Sequence, residues 1–197
     1  MYPIVHQPFH NEAFWEAMWA PYPEEDYQFV LAQIHPEDTV LEIGAGDMRL
    51  AARIARVARC VYAIEKNVHL TPPPAARQHL PSNLVVIQGD ARSFPFPPHI
   101  TVAVLMMRHC THFAHYLNKL QKTSCNRLIT NARWRTGVET IWLHDTRKHY
   151  DDFQIGWYAC WCGQTGFKAG SVDLITPEIE QMVHETATCP HCKPQRS

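Results

Sequence analysis

Between residue 24 and about residue 135, short apolar runs rich in β-branched residues alternate with longer segments whose apolar positions recur at helical spacing. That alternation predicts an α/β domain, with helices on both faces of a mostly parallel sheet. Pro23-Glu24-Glu25-Asp26 offers an acidic helix start, and Tyr27, Leu31 and Ile34, with Val30 beside them, form one apolar stripe. The predicted strands are Thr39 to Ile43, Cys60 to Glu65, Leu84 to Gln88, Ile100 to Met107 and Arg127 to Asn131. Helices are predicted from about Met48 to Ala58, over Ala75 to Leu80 behind the Pro72-Pro73-Pro74 run, and over His112 to Lys122, where Phe113, Tyr116, Leu117 and Leu120 share one side. The FPFPP stretch must be a loop. Beyond Trp134 the pattern weakens. Val138 to Leu143 and Gln154 to Ala159 read as strands or hairpin arms, and Thr176-Pro177 opens a helix over Glu178 to Glu185. Three parts are expected: an aromatic lid or cap segment at 1–23 (Phe9, Phe14, Trp15, Trp19, Tyr22), a core at 24–149, and a sheet edge with a metal module at 150–197.

The first strand ends in Glu42-Ile43-Gly44-Ala45-Gly46 and runs into a helix. Glycines there let backbone approach a ligand closely, and the helix start turns free N–H groups and a positive dipole end toward it. A dinucleotide fingerprint needs a third glycine three residues after the second, and that position holds Arg49. Glu65, 21 residues after Gly44 at the end of the second strand, is placed to accept both hydroxyls of a ribose. The set points to a nucleoside whose other end is not a pyrophosphate.

Over residues 24 to 135 the ordered motifs resemble those of the class I S-adenosylmethionine (SAM) dependent methyltransferases, a Rossmann-like fold. Glu42-Ile-Gly-Ala-Gly46 resembles the first motif, Ala63-Ile-Glu65 the second, Gly89-Asp90-Ala91 the third, and Val102 to Arg108 the fourth. The resemblance implies that Glu65 holds the ribose, that Asp90 and Ala91 read the adenine, and that Gly44 to Gly46 pass beneath the methionine portion. Lys66 and Met107 complete the expected cofactor contacts. Met48 stands where many members carry another glycine, and Asp47-x-Arg49 is similar to the GDGR variant of some protein-lysine methyltransferases.

Ligands of open α/β sheets lie outside the carboxyl ends of the strands, which brings Arg108-His109-Cys110-Thr111-His112 to the methyl acceptor. Methyl transfer asks for positioning and optional proton removal, so His109 or His112, with Arg108, are the candidate catalytic residues and Cys110 a candidate accepting thiol. The competing reading has Thr111 capping the next helix and the histidines lining its first turn. The nucleic-acid aminomethyltransferase signature, Asn or Asp followed by Pro-Pro and an aromatic, is absent at this position. That lowers the prospect of methylating the exocyclic amine of adenine and leaves other RNA sites open. Arg49, Arg53 and Arg56 form a row on one helical face, read as a solvated face with phosphate or acidic-partner contact as the alternative.

Of seven cysteines, Cys160, Cys162, Cys189 and Cys192 form two pairs with 26 residues between them. In a reducing compartment such pairs more often close a tetrahedral structural zinc site than form disulfides, although disulfides, free thiols, or His149 or His184 replacing a cysteine stay open. Burial by Trp157, Tyr158 and Trp161 is too small to fold residues 150 to 192 without the metal. Such a module is a candidate for holding the acceptor or a protein partner.

Composition changes this picture little. With Lys+Arg 18 against Asp+Glu 19, no global charge draws the chain to nucleic acid or a membrane surface. The longest apolar run is far below the roughly 20 residues of a membrane span, and the first residues lack a secretory pattern, so a cytoplasmic protein is expected. The expected activity is SAM-dependent methyl transfer, the acceptor ranked as protein or peptide, then small metabolite, then RNA. The rival is an inactive methyltransferase-fold zinc protein serving as a scaffold.

Overall fold

The computed structural model describes residues 22–108, 110–133 and 137–192. Phe9, Phe14, Trp15, Trp19 and His109 lie outside them. Six strands form one sheet in the order β3-β2-β1-β4-β5-β6, and three more form a second sheet in the order β8-β7-β9. The chain divides into two units, residues 1–91 and 92–197.

The first unit holds α1 (Glu24–Ala32), β1 (Thr39–Ile43), α2 (Arg49–Ile54), β2 (Cys60–Glu65), α3 (Pro74–Arg77) and β3 (Leu84–Gln88). Its three strands coincide with the predicted ones. Both pairings are parallel, with Thr39 opposite Cys60 and Val61 opposite Leu84. Every residue of β1 is buried, as expected for a strand covered on both faces. The apolar core draws Val30 and Tyr27 from α1, Leu50, Ala51 and Ile54 from α2, and Val61, Ala63 and Ile64 from β2. Helix α2 is shorter than its periodicity predicts. The Asn83 amide donates to the carbonyls of Ala55 and Ala58, at 2.8 and 2.9 Å, and so satisfies chain that has left the helix. Helix α3 is likewise a single turn opened by proline.

The second unit holds β4 (Val102–Leu105), α4 (Phe113–Leu120), β5 (Arg127–Thr130), β6 (Glu139–Trp142), β7 (Gly156–Cys160), β8 (Thr165–Lys168), α5 (Pro177–Gln181) and β9 (Val183–Thr186). Strands β4 and β5 run parallel, and β6 turns back antiparallel on β5. Helix α4 buries Phe113, Tyr116, Leu117 and Leu120, the predicted stripe. One expectation fails. The helix predicted over Glu178 to Glu185 stops at Gln181, and Val183–Thr186 becomes a strand parallel to β7. Here period two outweighs helical continuation, because His184 and Thr186 are buried while Val183 faces out, and Trp157–Cys160 completes the backbone hydrogen bonds. Strand β8 was not foreseen.

Among the described residues, no helix is long and apolar enough to cross a membrane.

Candidate active site and thiol cluster

The turn after β1 is built by three left-handed residues: Gly44 at φ 73°, Gly46 at φ 58° and Met48 at φ 69°. The N–H groups of Gly44 and Ala45 both donate to the carbonyl of Ile64, at 2.9 and 3.0 Å, so the turn hangs from the end of β2. Glu65 sits on that end, nearly buried. Its carboxylate accepts the Gly46 N–H at 2.9 Å and the Asn67 N–H at 2.6 Å. Two hydrogen bonds leave lone pairs for further donors, since an ionised carboxylate offers about four acceptor positions. Met48 is the one non-glycine residue at positive φ among those described, and its side chain is fully buried.

Glu42, on β1, is 3% exposed, and its Oε2 has no hydrogen-bond partner. Burial, with the nearby negative charges of Asp47 and Glu65, pushes its carboxyl up to about 8. A buried carboxylate without a partner is costly, and a cationic ligand group would relieve it. Glu42 and Glu65 thus leave acceptor positions unfilled, which ligand donors such as an ammonium and ribose hydroxyls would complement, and glycine at 44 and 46 keeps the approach clear of Cβ atoms. Lys66 and Asp90 face each other at 3.5 Å in a largely exposed pair, and Ala91 is buried. Asp47 forks onto Arg49 instead, accepting its backbone N–H at 3.1 Å and its Nε–H at 2.7 Å. The Asp-x-Arg sequence is thus a local tie at the start of α2. Arg53 of the arginine row pairs with Glu24 at 2.9 Å and lies over the Tyr27 ring.

In the second unit, Met107 and Arg108 are half-buried past the end of β4, and His112 is exposed at the start of α4. The Nε2 of His112 lies 3.4 Å from Arg92 Nη1, and its ring meets Tyr116 edge-on. Burial raises the Cys110 thiol above its usual range, the opposite of what an accepting thiolate needs.

Cys160, Cys162, Cys189 and Cys192 converge, all four sulfurs lying within 4.8 Å of one another. The separations Cys160–Cys192, Cys162–Cys189 and Cys189–Cys192 are 3.6, 3.7 and 3.9 Å. Four thiolates at 2.3 Å around a tetrahedral ion stand about 3.8 Å apart. The donor set therefore fits zinc. The histidine alternatives are engaged elsewhere. His184 stacks on Phe153 at 4.3 Å, and the His149 side chain accepts the backbone N–H of Asp152 in a reciprocal cap at the start of residues 150–152.

Two features escaped the sequence reading. Arg133, its side chain wholly buried, donates to both oxygens of Glu139 (2.8 and 2.6 Å) and to Glu185, joining β6 to β9. Nothing in the local sequence marks it, because the pairing spans 52 residues. Arg147 lies 3.8 Å over the Trp161 ring and donates to the Trp142 carbonyl at 2.7 Å, while Arg127 lies 5.8 Å from the Trp142 ring. Trp142 is half exposed.

A parallel-stranded sheet whose first strand opens into a glycine turn, with an acid closing the second, defines the Rossmann-like SAM-dependent methyltransferase class. The chain belongs to the ribosomal RNA adenine dimethylase family, whose model matches residues 28–133. It is 43% identical over 68 residues to a probable ribosomal RNA small subunit methyltransferase A of Methanosarcina acetivorans, covering 34% of this chain and 25% of that protein. The corresponding figures for the Methanosarcina mazei protein of the same description are 42% over 66 residues, 34% and 24%. The matched segment is thus about a quarter of these relatives' length. The precorrin-6y C5,15-methyltransferase of Geobacter metallireducens shares the fold, with a TM-score of 0.50 at 11% identity over 59% of this chain and 66% of that one. These findings do not support ranking a protein acceptor first. The near-zero net charge, which gave no sign of nucleic acid, reports only a global balance.

Proposed function

We propose that this chain binds SAM through Glu42, the Gly44–Gly46 turn, Glu65, Lys66, Asp90, Ala91 and Met107, and transfers methyl groups to RNA. The observation that carries the reading is Glu42, a fully buried carboxyl group on β1 with an oxygen that nothing among the described residues satisfies. SAM supplies a methyl group on a sulfonium, activated for in-line attack. Glu65 holds the ribose with the lone pairs its two backbone donors leave free, and Glu42 faces the ammonium. Arg108, His109 and His112 are the residues past β4 that would orient the acceptor or take a proton.

Three considerations favour RNA. The family is described by a ribosomal RNA substrate, and so are the archaeal relatives. The Trp142, Arg147, Trp161 and Arg127 group offers aromatic and guanidinium faces of the kind on which unpaired bases stack. Trp161 stands between the thiols of Cys160 and Cys162, so the proposed structural zinc would fix this surface. Residues 150–197 serve, on this reading, with Arg127, Trp142 and Arg147 before them, to present RNA.

The test is calorimetric titration with SAM and with its demethylated product, followed by transfer of labelled methyl to ribosomal RNA transcripts. Glu65→Ala should weaken SAM binding by about 1.5–3 kcal/mol, the worth of charge-assisted hydrogen bonds. Transfer to adenine-containing RNA is expected. A folded protein that binds no SAM would overturn the reading in favour of an inactive scaffold, for which left-handed Met48 and the missing Asn/Asp-Pro-Pro-aromatic signature are the specific observations.

A further inference from the structure

Asn131 follows β5 directly and is 2% exposed, yet neither its amide nitrogen nor its carbonyl oxygen has a hydrogen-bond partner among the described residues. A wholly orphaned buried carboxamide is rare, because each unsatisfied polar atom forfeits its hydration without return. The neighbouring Thr130 shows the ordinary solution, its hydroxyl donating to the Leu105 carbonyl at 2.7 Å and accepting the Ala132 N–H at 3.0 Å. Asn131 is thus exceptional in a locally well-satisfied segment. Its position is informative too. Leu105 pairs with Thr130 in the parallel β4/β5 register, so Asn131 continues that register opposite Met106, at the carboxyl end of β4. This is the strand end that carries the acceptor-facing residues, and it lacks the Asn or Asp with which nucleic-acid aminomethyltransferases begin their signature.

We infer that Asn131 recognises the edge of the target base, supplying from β5 the carboxamide that β4 does not provide. Its Oδ1 accepts from an exocyclic amine and its Nδ2 donates to a ring nitrogen, the paired pattern that Asn makes with adenine. The inference rests on the RNA-acceptor reading above and adds to it the base edge that is read. It makes Asn131 a specificity-determining residue whose orphaned atoms are the cost of leaving the site ready for a ligand.

The experiment compares the full zinc-loaded chain with Asn131→Leu and Asn131→Ala, in single-stranded oligoribonucleotides carrying one adenosine or, at the same position, purine riboside without the amine. Fluorescence anisotropy reads binding without requiring SAM or turnover. Wild type should prefer adenosine by about tenfold, from hydrogen bonds that the amine-less base leaves unmade, and both variants should lose that preference while keeping wild-type SAM affinity. Thermal melting supplies the second readout. Asn131→Leu should raise Tm, because an apolar side chain of similar volume removes two orphaned polar atoms. Full retention of the adenosine preference by both variants overturns the inference, and so does a Tm that falls in Asn131→Leu with the preference intact. Failure of wild type to bind SAM while it still discriminates the two bases would overturn the methyl-transfer reading and leave Asn131 as the base reader.

Discussion

The β1–β3 region and the β7–β9 region are each three strands, yet they are held together by different physics. The first is organised by apolar burial: Val30, Val40, Leu41, Ile43, Ile54, Val61 and Ile64 are essentially inaccessible to water. The second keeps Val172, Ile175, Met182 and Val183 between 42% and 76% exposed, and its buried cluster consists of Phe153, Tyr158, Cys160 and Cys189. Half of that cluster is thiol. Where the apolar core is this thin, the proposed metal centre would take its place, as zinc does in other small segments. Similar strands therefore predict opposite responses to chelation.

The sharpest way to break the comparison is to remove the metal. Chelation, or Cys189→Ser, should abolish hydrogen-exchange protection in β7–β9 and lower the zinc content, while β1–β3 keep theirs. Structural zinc contributes on the order of 10 kcal/mol in small modules, more than this cluster's burial supplies. Without the metal, burial pushes the Cys160 and Cys189 thiols up to about 11 and raises Cys162, so neutral thiols would replace at least these three thiolates. Unchanged protection of β7–β9 in metal-free protein would show that Phe153 and Tyr158 suffice and would erase the contrast.

A smaller effect tests the apolar side. Glu42 is raised in the folded state, so the native protein holds a proton that the unfolded chain releases from about pH 4.5. Its contribution to stability is full below that pH and is lost as pH rises toward about 8. Glu42→Gln cannot ionise. Urea unfolding at pH 5 and at pH 8 should show the variant gaining on wild type as pH rises, by a few kcal/mol in order of magnitude. Saturating SAM should narrow the gap, since its ammonium favours the ionised carboxylate. Curves that stay parallel across this range would mean that water reaches Glu42 freely and that its burial does not shift its titration.

The contrast also explains what could be read from sequence. Strands β1, β2 and β3 were legible to the residue because each is a continuous apolar run bounded by turn signals, although only β1 is buried along its whole length and β3 is largely half-buried or exposed. The glycine turn, Glu65 and the four cysteines were legible because their chemistry depends on residue type and local spacing. In the β7–β9 region, where flanking apolar residues stay exposed, local propensity lost to long-range pairing: Val183–Thr186 reads as helix and folds as strand beside β7. Arg133 and Asn131 were invisible for a related reason. Their significance lies in partners brought from distant segments, or in the lack of any, and neither fact has a sequence signature.

The smallest effect sharpens the comparison at the glycine turn itself. Met48 holds φ 69° where glycine would be unstrained, so Met48→Gly relieves on the order of 1 kcal/mol. Its side chain is also fully buried, and truncating a buried methionine costs about 2–5 kcal/mol through lost transfer energy and the cavity left behind. Packing should win, and the variant should unfold at lower denaturant, less stable by about 1–4 kcal/mol. That outcome would mean the turn tolerates a strained residue because the apolar core over-determines it, the contrast expected with a region whose thiol cluster is proposed to need a metal. A variant more stable than wild type would reverse the argument: strain would then dominate, and a methionine kept at that cost would point to a role for its side chain at the cofactor turn rather than in the core.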